Sequence, residues 1–171
     1  MIVCPYCGAG NIAGVDACER CSQSLTHAHL AAPKSHLEKC LLRDRLKSLR
    51  PAAPVTTVAA DTSVGHVVRL LAERSIGCVL IVQDNTLLGI FSERDVVMKL
   101  DACAADWRTR PVSEFMTKAV QSLDADATVA FAVHRMNVGN YRHVPITDSE
   151  GRPVAIISIR DILRYLNENM G

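Results

Sequence analysis

The segment 88–95, LGIFSERD, and the segment 154–161, VAIISIRD, share one pattern at a distance of 66 residues. In both, four apolar or small residues are followed by serine, two further residues and aspartate. A short apolar run predicts a strand, and Ser-x-x-Asp predicts a helix start in which serine is the N-cap and the carboxylate faces free backbone N–H groups. Each segment is therefore predicted to be a strand that leads directly into a helix.

Upstream of these segments the similarity continues. Residues 55–64, VTTVAADTSV, align with residues 120–129, VQSLDADATV, at an offset of 65. One additional residue within 149–152 of the second copy accounts for the later offset of 66. Such self-similarity indicates a duplicated structural unit. The first helix of each copy is predicted to be capped near an aspartate, Asp61 or Asp126.

The predicted order of elements in each copy is βαββα. After a short strand and the first helix, two apolar strands are expected near 78–82 and 87–91, and again near 143–147 and 154–157. One copy has about 60 residues, which is too few to bury a core well alone. The predicted fold class is therefore α+β, with two repeats packed through their sheets, a pseudo-twofold axis and a cleft between the halves.

Three motifs resemble those of the cystathionine-β-synthase (CBS) domain family. LGIFSERD resembles the strand of a CBS repeat that closes on [ST]-x-x-D. The segments 112–117, VSEFMT, and 143–146, HVPI, resemble the opening of a repeat and the strand after its first helix. The resemblance covers residues 51–169 and implies a tandem CBS pair, or Bateman module. It further implies a regulatory role and an adenosine ligand, AMP, ADP, ATP or S-adenosylmethionine, between the repeats.

The resemblance also implies which residues bind the ligand. In CBS pairs the hydroxyl of the motif lies near phosphate and its aspartate accepts from ribose hydroxyls. An arginine precedes each aspartate in this sequence. The implied ligand residues of the two motifs are Ser92, Arg94 and Asp95, and Ser158, Arg160 and Asp161.

The two halves differ in the basic residues that a phosphate requires. Arg142 and His143 precede the middle strand of the second copy, whereas Gly77 and Cys78 occupy these positions in the first. We expect the site that combines Ser92 and Asp95 with Arg142 and His143 to hold phosphate better; the alternative is that this pair is a solvated strand edge. The residues expected around the adenine, which are equally candidates for the core, are Val55, Thr57, Val79, Val144 and Pro145.

Two C-x-x-C pairs lie near the N-terminus. The two-residue spacing lets both sulfurs of a pair face one ion, and Gly8 permits a tight turn after the first pair. The intervening segment 8–17 is expected to form a short hairpin. These features resemble a zinc ribbon whose predicted ligands are Cys4, Cys7, Cys18 and Cys21.

Other interpretations of these cysteines remain open. A set of four thiolates also suits a mononuclear iron centre, and C-P-x-C-G resembles rubredoxin, which leaves an iron-thiolate redox protein as an alternative. His27 and His29 are candidates for additional ligands. Because the ribbon is short, the metal would supply its folding free energy. Removal of the metal is expected to unfold residues 1–25 and to leave the repeats intact.

A linker helix is predicted between the ribbon and the first repeat. Ser35-x-x-Glu38 is a capping box, and leucines recur at helical spacing as far as Arg50, where Pro51 ends the pattern. Its apolar stripe packs on the main domain or forms a dimer contact. The predicted domains are the ribbon at 1–25, the linker helix at 26–50 and the CBS repeats at 51–110 and 111–171.

Composition narrows the possible partners. The net charge is +1, and Arg20 is the only lysine or arginine in residues 1–25. Both facts argue against the alternative of a zinc-ribbon adaptor for nucleic acid or transcription. A homodimer through the helical faces is expected by resemblance, and Val67, Leu71 and Met98 are the apolar helix positions expected to be exposed. A further, unknown protein partner is expected to receive the signal.

We expect a binding module rather than an enzyme. Cys40, Cys78 and Cys103 are single thiols without an evident partner, and neither a phosphate-binding loop nor a G-x-S-x-G or H-E-x-x-H motif occurs. The start of the chain lacks a secretory signal, and no apolar run approaches the ~20 residues that span a bilayer. A cytoplasmic location is therefore predicted, where cysteines are expected as thiols or metal ligands.

Overall fold

The computed structural model describes five ranges of the chain. These are residues 1–12, 14–25, 35–49, 54–100 and 105–170. His27, His29, Cys103 and the predicted end of the linker helix at Arg50 lie outside the described residues.

Thirteen strands and α-helices are formed in these ranges. In chain order they are β1 (Ile2–Val3), β2 (Gly10–Asn11), α1 (His36–Arg43), β3 (Thr57–Ala59), α2 (Val64–Arg74), β4 (Cys78–Gln83), β5 (Thr86–Ser92), α3 (Glu93–Lys99), β6 (Thr117–Lys118), α4 (Val129–Gly139), β7 (His143–Thr147), β8 (Pro153–Ser158) and α5 (Ile159–Asn169). The α+β class and the βαββα order of the first repeat are confirmed. None of the helices in the described ranges is long and apolar enough to cross a membrane.

The chain divides into two compact units, each built from separate stretches of sequence. Unit 1 consists of Met1–Ala52, Leu123–Val144 and Ile157–Gly171, and unit 2 consists of Ala53–Ser122 and Pro145–Ile156. Unit 1 thus contains the N-terminal cysteines and both helices of the second repeat. Unit 2 contains most of the first repeat. The domain boundaries expected from the sequence stay predictions.

Unit 2 is organised by a four-stranded sheet in the order β3-β4-β5-β6. β3 is parallel to β4, and the other two pairs are antiparallel. The last pairing requires Gly89, because a Cβ there would lie 2.5 Å from Met116 Sδ and 2.9 Å from Thr117 O. The buried core of unit 2 consists of Val64, Val67, Leu71, Val79, Ile81, Phe91 and Val112.

The core of unit 2 corrects one expectation about exposed surface. Val67 and Leu71 of α2 are buried, so the expectation that they are exposed is wrong. They lie four residues apart on the face of α2 that packs on the sheet, which is the position that apolar helix residues ordinarily take. Met98 of α3 is 71% exposed, and its neighbour Val97 is 79% exposed.

A segment between the repeats packs against the start of α2 in unit 2. The N–H of Val64 donates to the carbonyl of Arg110 at 2.9 Å, and the N–H of Val112 donates to the carbonyl of Thr62 at 2.8 Å. The chain then forms a short 3-10 helix, Val112–Glu114. The first turn of α2 therefore has its free N–H groups satisfied in part by a segment about 45 residues away in sequence.

Unit 1 contains an equivalent arrangement at the start of α4. The N–H of Val129 donates to the carbonyl of Asp44 at 3.0 Å, and the N–H of Leu46 donates to the carbonyl of Ala127 at 2.9 Å. A 3-10 helix again follows, at Leu46–Ser48. The segment before the first repeat thus bonds to the start of α4 in the second repeat, and the segment between the repeats bonds to the start of α2 in the first.

Because of these bonds, the linker helix is shorter than the sequence predicted. The capping box of Ser35 and Glu38 is confirmed. However, α1 ends at Arg43, because Asp44 and Arg45 are extended and bond to the start of α4. The prediction of one helix that continues to Arg50 is therefore wrong.

The starts of α2 and α4 lie near the predicted aspartates. The N-caps are Ser63 and Thr128, two residues after Asp61 and Asp126, and their side-chain oxygens accept from N–H groups three residues ahead at 3.4 and 3.2 Å. The first strand of the second repeat, in contrast, differs from the prediction. Residues 122–124, the equivalents of β3, form no strand of two or more residues in the described chain.

Candidate functional site

The first C-x-x-C pair lies inside the hairpin formed by β1 and β2. The N–H of Cys4 donates to the carbonyl of Ala9 at 2.8 Å, and the N–H of Gly8 donates to the carbonyl of Cys4 at 2.9 Å. Gly8 has φ +76°, which confirms the expected tight turn. The hairpin encloses the first pair instead of joining the two pairs, so the hairpin expected over 8–17 is wrong.

The second pair forms a turn of the same kind. The N–H of Cys18 donates to the carbonyl of Gln23, and the N–H of Ser22 donates to the carbonyl of Cys18, both at 2.8 Å. Ser22 takes the position of the glycine and has φ +56°. A β-bridge between Ala17 and Ser24 closes this second loop. Both pairs are thus held in matching backbone turns.

The four sulfurs converge on one point. The Sγ atoms of Cys4 and Cys21 are 3.7 Å apart, and those of Cys7 and Cys18 are 3.6 Å apart. All four lie within 4.8 Å of one another, and all four residues are buried. In a tetrahedral site with metal–sulfur bonds of about 2.3 Å the sulfurs are about 3.8 Å apart. The cluster therefore has the spacing of a four-thiolate metal site.

Backbone N–H groups favour a thiolate at Cys18, whereas burial raises the pKa values of Cys4 and Cys21. Burial alone would raise the pKa of Cys18, but the N–H groups of Cys21 and Arg20, with the Asn11 side chain, outweigh burial and lower it to about 6. The sequence reasoning missed Asn11, which is buried and whose Oδ1 accepts from the N–H of Glu19 at 3.0 Å. Asn11 follows the first pair and contacts the second, so only the folded geometry reveals its role.

The described cysteines outside the cluster are separate from it. Cys40 is buried in α1, where its sulfur lies 3.7 Å from both ring nitrogens of His36. Cys78 is buried at the start of β4, and desolvation raises its pKa to about 12. A neutral, buried thiol is a poor nucleophile.

The first Ser-x-x-Asp motif forms a complete capping box at the junction of β5 and α3. One carboxylate oxygen of Asp95 accepts from the Ser92 N–H at 2.8 Å and from the Ser92 hydroxyl at 2.6 Å. The other oxygen contacts Lys99 Nζ at 2.7 Å and accepts from the Thr117 hydroxyl at 3.1 Å. Both oxygens of this buried carboxylate are therefore satisfied within unit 2.

Lys99 and Thr117 determine the charge of this site. Burial would raise the pKa of Asp95, but hydrogen bonds from Lys99 and Ser92 outweigh burial and hold the pKa below its ordinary value. Sequence reasoning overlooked both Lys99 and Thr117. Lys99 carries a readable signal, since it lies four residues after Asp95 on one helix, whereas Thr117 reaches the site only through the pairing of β5 with β6.

The second motif has the same cap and a different surrounding. Asp161 Oδ2 accepts from the N–H of Ser158 at 2.8 Å and from its hydroxyl at 2.6 Å. Its other oxygen lies 3.6 Å from Arg164 Nη1. Tyr165 occupies the position equivalent to Lys99, and its hydroxyl donates to Asp44 at 2.9 Å. The two caps are alike, but the second oxygen has different cationic neighbours.

The predicted basic ligand residues lie near the helix starts. Arg94 and Arg160 are exposed in the first turns of α3 and α5. Arg142 is exposed at the residue before β7, and its carbonyl accepts from the N–H of Ile159 at 2.9 Å. His143 is half-buried at the first position of β7. Arg142 and Ser158, both at the edge of the second hairpin, are thus placed near each other within unit 1.

The residues expected around the adenine differ in burial. Val79 and Val144 are fully buried, and Pro145 is also buried. Val55 is half-buried, and Thr57 is exposed, where it lines a depression of about 490 Å³ beside the turn between β4 and β5. Core packing accounts for the buried residues, and their contact with an adenine stays a prediction. The site that combines Ser92 and Asp95 with Arg142 and His143 also stays a prediction.

The family model described as "CBS domain" matches residues 46–102 and 112–168. The first match begins at Leu46, at the 3-10 helix that the sequence reasoning assigned to the linker. An uncharacterized 17.7 kDa protein of Acidianus ambivalens is 31% identical over 113 residues, which cover 66% of this chain and 67% of that protein.

Solved structures show the same fold. The CBS-domain containing protein ATU1752 of Agrobacterium tumefaciens is 36% identical, with a TM-score of 0.60 over 65% of this chain and 88% of that one. The CBS domain pair of protein MJ0100, solved in complex with 5-methylthioadenosine and S-adenosyl-L-methionine, is 25% identical, with a TM-score of 0.62 over 71% and 98% of the two chains. Other relatives are longer, and the chain spans 24% of the length of a CBS domain-containing protein of Arabidopsis thaliana.

Proposed function

Since the chain belongs to the CBS-domain family, we propose that it is a non-catalytic regulatory module that binds an adenosine-containing ligand. The observation that carries this proposal is the similarity to the MJ0100 pair, whose structure contains two such ligands. This chain retains both Ser-x-x-Asp caps with complete hydrogen bonding. The candidate ligands are AMP, ADP, ATP and S-adenosylmethionine.

The proposed ligand contacts follow from the chemistry of the caps. The positive end of the helix dipole attracts phosphate, and an aspartate in the first turn accepts from ribose hydroxyls. At Asp95 a ribose hydroxyl has to replace Lys99 or Thr117 on Oδ1. The proposed residues at the two motifs are Ser92, Arg94 and Asp95, and Ser158, Arg160 and Asp161.

Titration of the full chain with each ligand tests this function. At about 100 times Kd a ligand stabilises the native state by about 2.7 kcal/mol, which raises Tm by about 5–10 °C in a chain of this size. The double variant Asp95→Asn and Asp161→Asn should lose this rise, whereas Glu73→Gln, at an exposed position of α2, should keep it. No rise with any of the four ligands contradicts the proposal.

Arg142 is proposed to provide positive charge for the phosphate. Arg142→Ala should then weaken binding of AMP, ADP and ATP by about tenfold or more, since a charge-assisted contact is lost. Binding of 5-methylthioadenosine, which has no phosphate, should be unchanged. Equal losses for both kinds of ligand, measured by calorimetry, would show that Arg142 does not contact phosphate.

A second proposed function is zinc binding by the four-cysteine cluster, carried by the sulfur spacing. Zinc favours this closed set of four thiolates, and the same geometry admits iron. Elemental analysis should find one zinc per chain in colourless protein, whereas iron would colour it. Cys18→Ser should lose the metal, and Cys40→Ser, a buried cysteine outside the cluster, should keep it. Absence of bound metal in the unaltered protein would rule the site out.

We also propose that the module forms a homodimer through its helical faces and passes its state to another protein in the cytoplasm. The exposed Val97 and Met98 of α3 support a contact with a second copy, since adjacent apolar side chains are candidates for burial. Met98→Glu should shift the sedimentation of the dimer to that of a monomer. A protein that is monomeric at all concentrations would contradict this part.

A further inference from the structure

The first cysteine turn lies directly on the start of α4. The carbonyl of Tyr6, which lies between Cys4 and Cys7, accepts from the N–H of Thr128 at 3.3 Å and from the Thr128 hydroxyl. Thr128 is the N-cap of α4. The backbone between two predicted metal ligands therefore bonds to the residue that begins the first helix of the second repeat.

Side chains extend this contact along α4. The ring of Tyr6 lies 6.2 Å from the ring of Phe131 and 5.4 Å from that of His134, between centroids. Phe131 is 3% exposed. Its equivalent in the first repeat is His66, one turn into α2, which is exposed. The apolar residue occurs on the helix that the cysteine segment contacts.

The second cysteine turn contacts the same helix. Arg135 of α4 donates to the carbonyl of Cys21 at 3.4 Å. Arg45, which bonds to the carbonyl of Asp126, lies against Gly8, where a Cβ would be 2.9 Å from its guanidinium. Residues 1–25 are called the ribbon. Both of its cysteine turns therefore contact α4 or the segment beside its start through atoms of the cysteines or of their neighbours.

The ribbon has little besides the cluster to hold its shape. In residues 1–12 and 14–25 the regular structure consists of two strands of two residues each and one bridge. So short a segment cannot fold by burial alone, and a bound metal supplies the folding free energy in such domains. The positions of the Tyr6 and Cys21 carbonyls then depend on the metal.

We propose that metal binding by the four cysteines keeps the ribbon docked on α4, so that metal occupancy controls the stability and exposure of the second repeat but not of the first. The inference rests on the proposed metal site. It replaces the expectation that metal removal leaves both repeats intact, because Phe131 and the N-cap of α4 lose their cover when the ribbon unfolds. A change in metal or thiol oxidation would thereby reach one half of the module selectively.

Hydrogen exchange of the full chain, with and without excess zinc chelator, tests the inference. The matched reporters are the N–H of Val129, bonded to Asp44, and the N–H of Val64, bonded to Arg110. Chelation should speed exchange in the first turns of α4 by about tenfold or more and in α2 by less than about twofold. Increased exchange in residues 1–25 alone, or equal increases in α2 and α4, would overturn the proposal.

Tyr6→Ala separates docking from metal binding. This variant keeps all four cysteines, so it should retain one metal per chain and still speed exchange in α4 in the metal-loaded state. Tyr6→Ala removes the ring and keeps the backbone carbonyl, so unchanged α4 exchange would show that the contacts of Tyr6 with Phe131 and His134 do not carry the effect. Elemental analysis distinguishes failure of the metal site from failure of the further inference. A chain that binds no metal refutes the metal site itself. Bound metal without any effect of chelation on α4 exchange refutes only the link between the metal and α4.

Discussion

Helices α2 and α4 begin at equivalent residues of the two repeats, Ser63 and Thr128, but different structures lie against them. In unit 2 the 3-10 helix Ala105–Arg108 packs on α2. In unit 1 α1 packs on α4, and the ribbon adds a second contact, for which the described part of the chain shows no equivalent on α2. The scaffold is thus duplicated, whereas the cover over its first helix is not.

The burial of equivalent residues on the two helices agrees with this difference in cover. Exposed His66 and Arg69 on α2 correspond to buried Phe131 and half-buried His134 on α4. Burial of an aromatic ring is favourable only where another surface covers it. The two helices therefore differ in side chains where the ribbon covers one of them.

The largest effect should come from the equivalent pair Phe131 and His66. Phe131→Ala should reduce the free energy of unfolding of the metal-loaded protein by about 3–5 kcal/mol, since it leaves a cavity beneath Tyr6. His66→Ala, at an exposed position, should change it by less than about 0.5 kcal/mol. Denaturant titration measures both, and similar values for the two variants would contradict the unequal cover.

The second largest effect should be a difference between the two Ser-x-x-Asp caps in their contribution to stability. Asp95→Asn removes the partner of Lys99, so it should cost about 2 kcal/mol, while Asp161→Asn should cost about 1 kcal/mol, since its cationic neighbour Arg164 is more distant, at 3.6 Å. Because the folded pKa of Asp95 is lowered, its contribution is present above the unfolded pKa of about 3.9 and is lost as pH falls below it. Asp95→Asn should therefore flatten the decline of stability between about pH 4 and pH 2. An unaltered decline would show that Asp95 does not contribute to it.

Local patterns predicted much of this molecule. The capping boxes at Ser92 and Ser158, the strand His143–Thr147 and the convergence of four cysteines all follow from short-range spacing, and the structure contains each of them. These features depend on residues that are close in sequence, where backbone geometry leaves few alternatives.

What the sequence did not reveal depends on distant pairing. The extended segment after Arg43 looked helical because its leucines have helical spacing, but its N–H groups bond to residues near Thr128. Thr117 completes the Asp95 site through the pairing of β5 with β6, and Tyr6 was not recognised as a contact residue. Tertiary contacts of this kind override local propensity and leave no periodic signal.

Replacement of the two N-caps should separate docking from capping. Ser63→Ala removes a cap hydroxyl and should cost about 1 kcal/mol. Thr128→Val removes the cap and also the hydroxyl that donates to the Tyr6 carbonyl, so it should cost about 1 kcal/mol more. After chelation the excess cost of Thr128→Val should disappear, as thermal unfolding can show. An excess that persists in metal-free protein would mean that docking does not depend on the metal.

The smallest effect should come from the ion pair between the ribbon and the start of the second repeat. Arg20 and Asp124 lie 4.0 Å apart with both side chains about half exposed, and the first repeat has Ala59 in place of Asp124. Exposed pairs contribute about 0.2–1 kcal/mol and less at high salt. Asp124→Ala, which makes the two repeats alike here, also removes the exposed hydrogen bond from the Asp126 N–H to Asp124 Oδ1. It should therefore lower stability by less than about 1 kcal/mol and leave α4 exchange unchanged. If Asp124→Ala instead releases α4 as far as Tyr6→Ala does, surface charge holds the ribbon in place, and the backbone and aromatic contacts of Tyr6 are secondary.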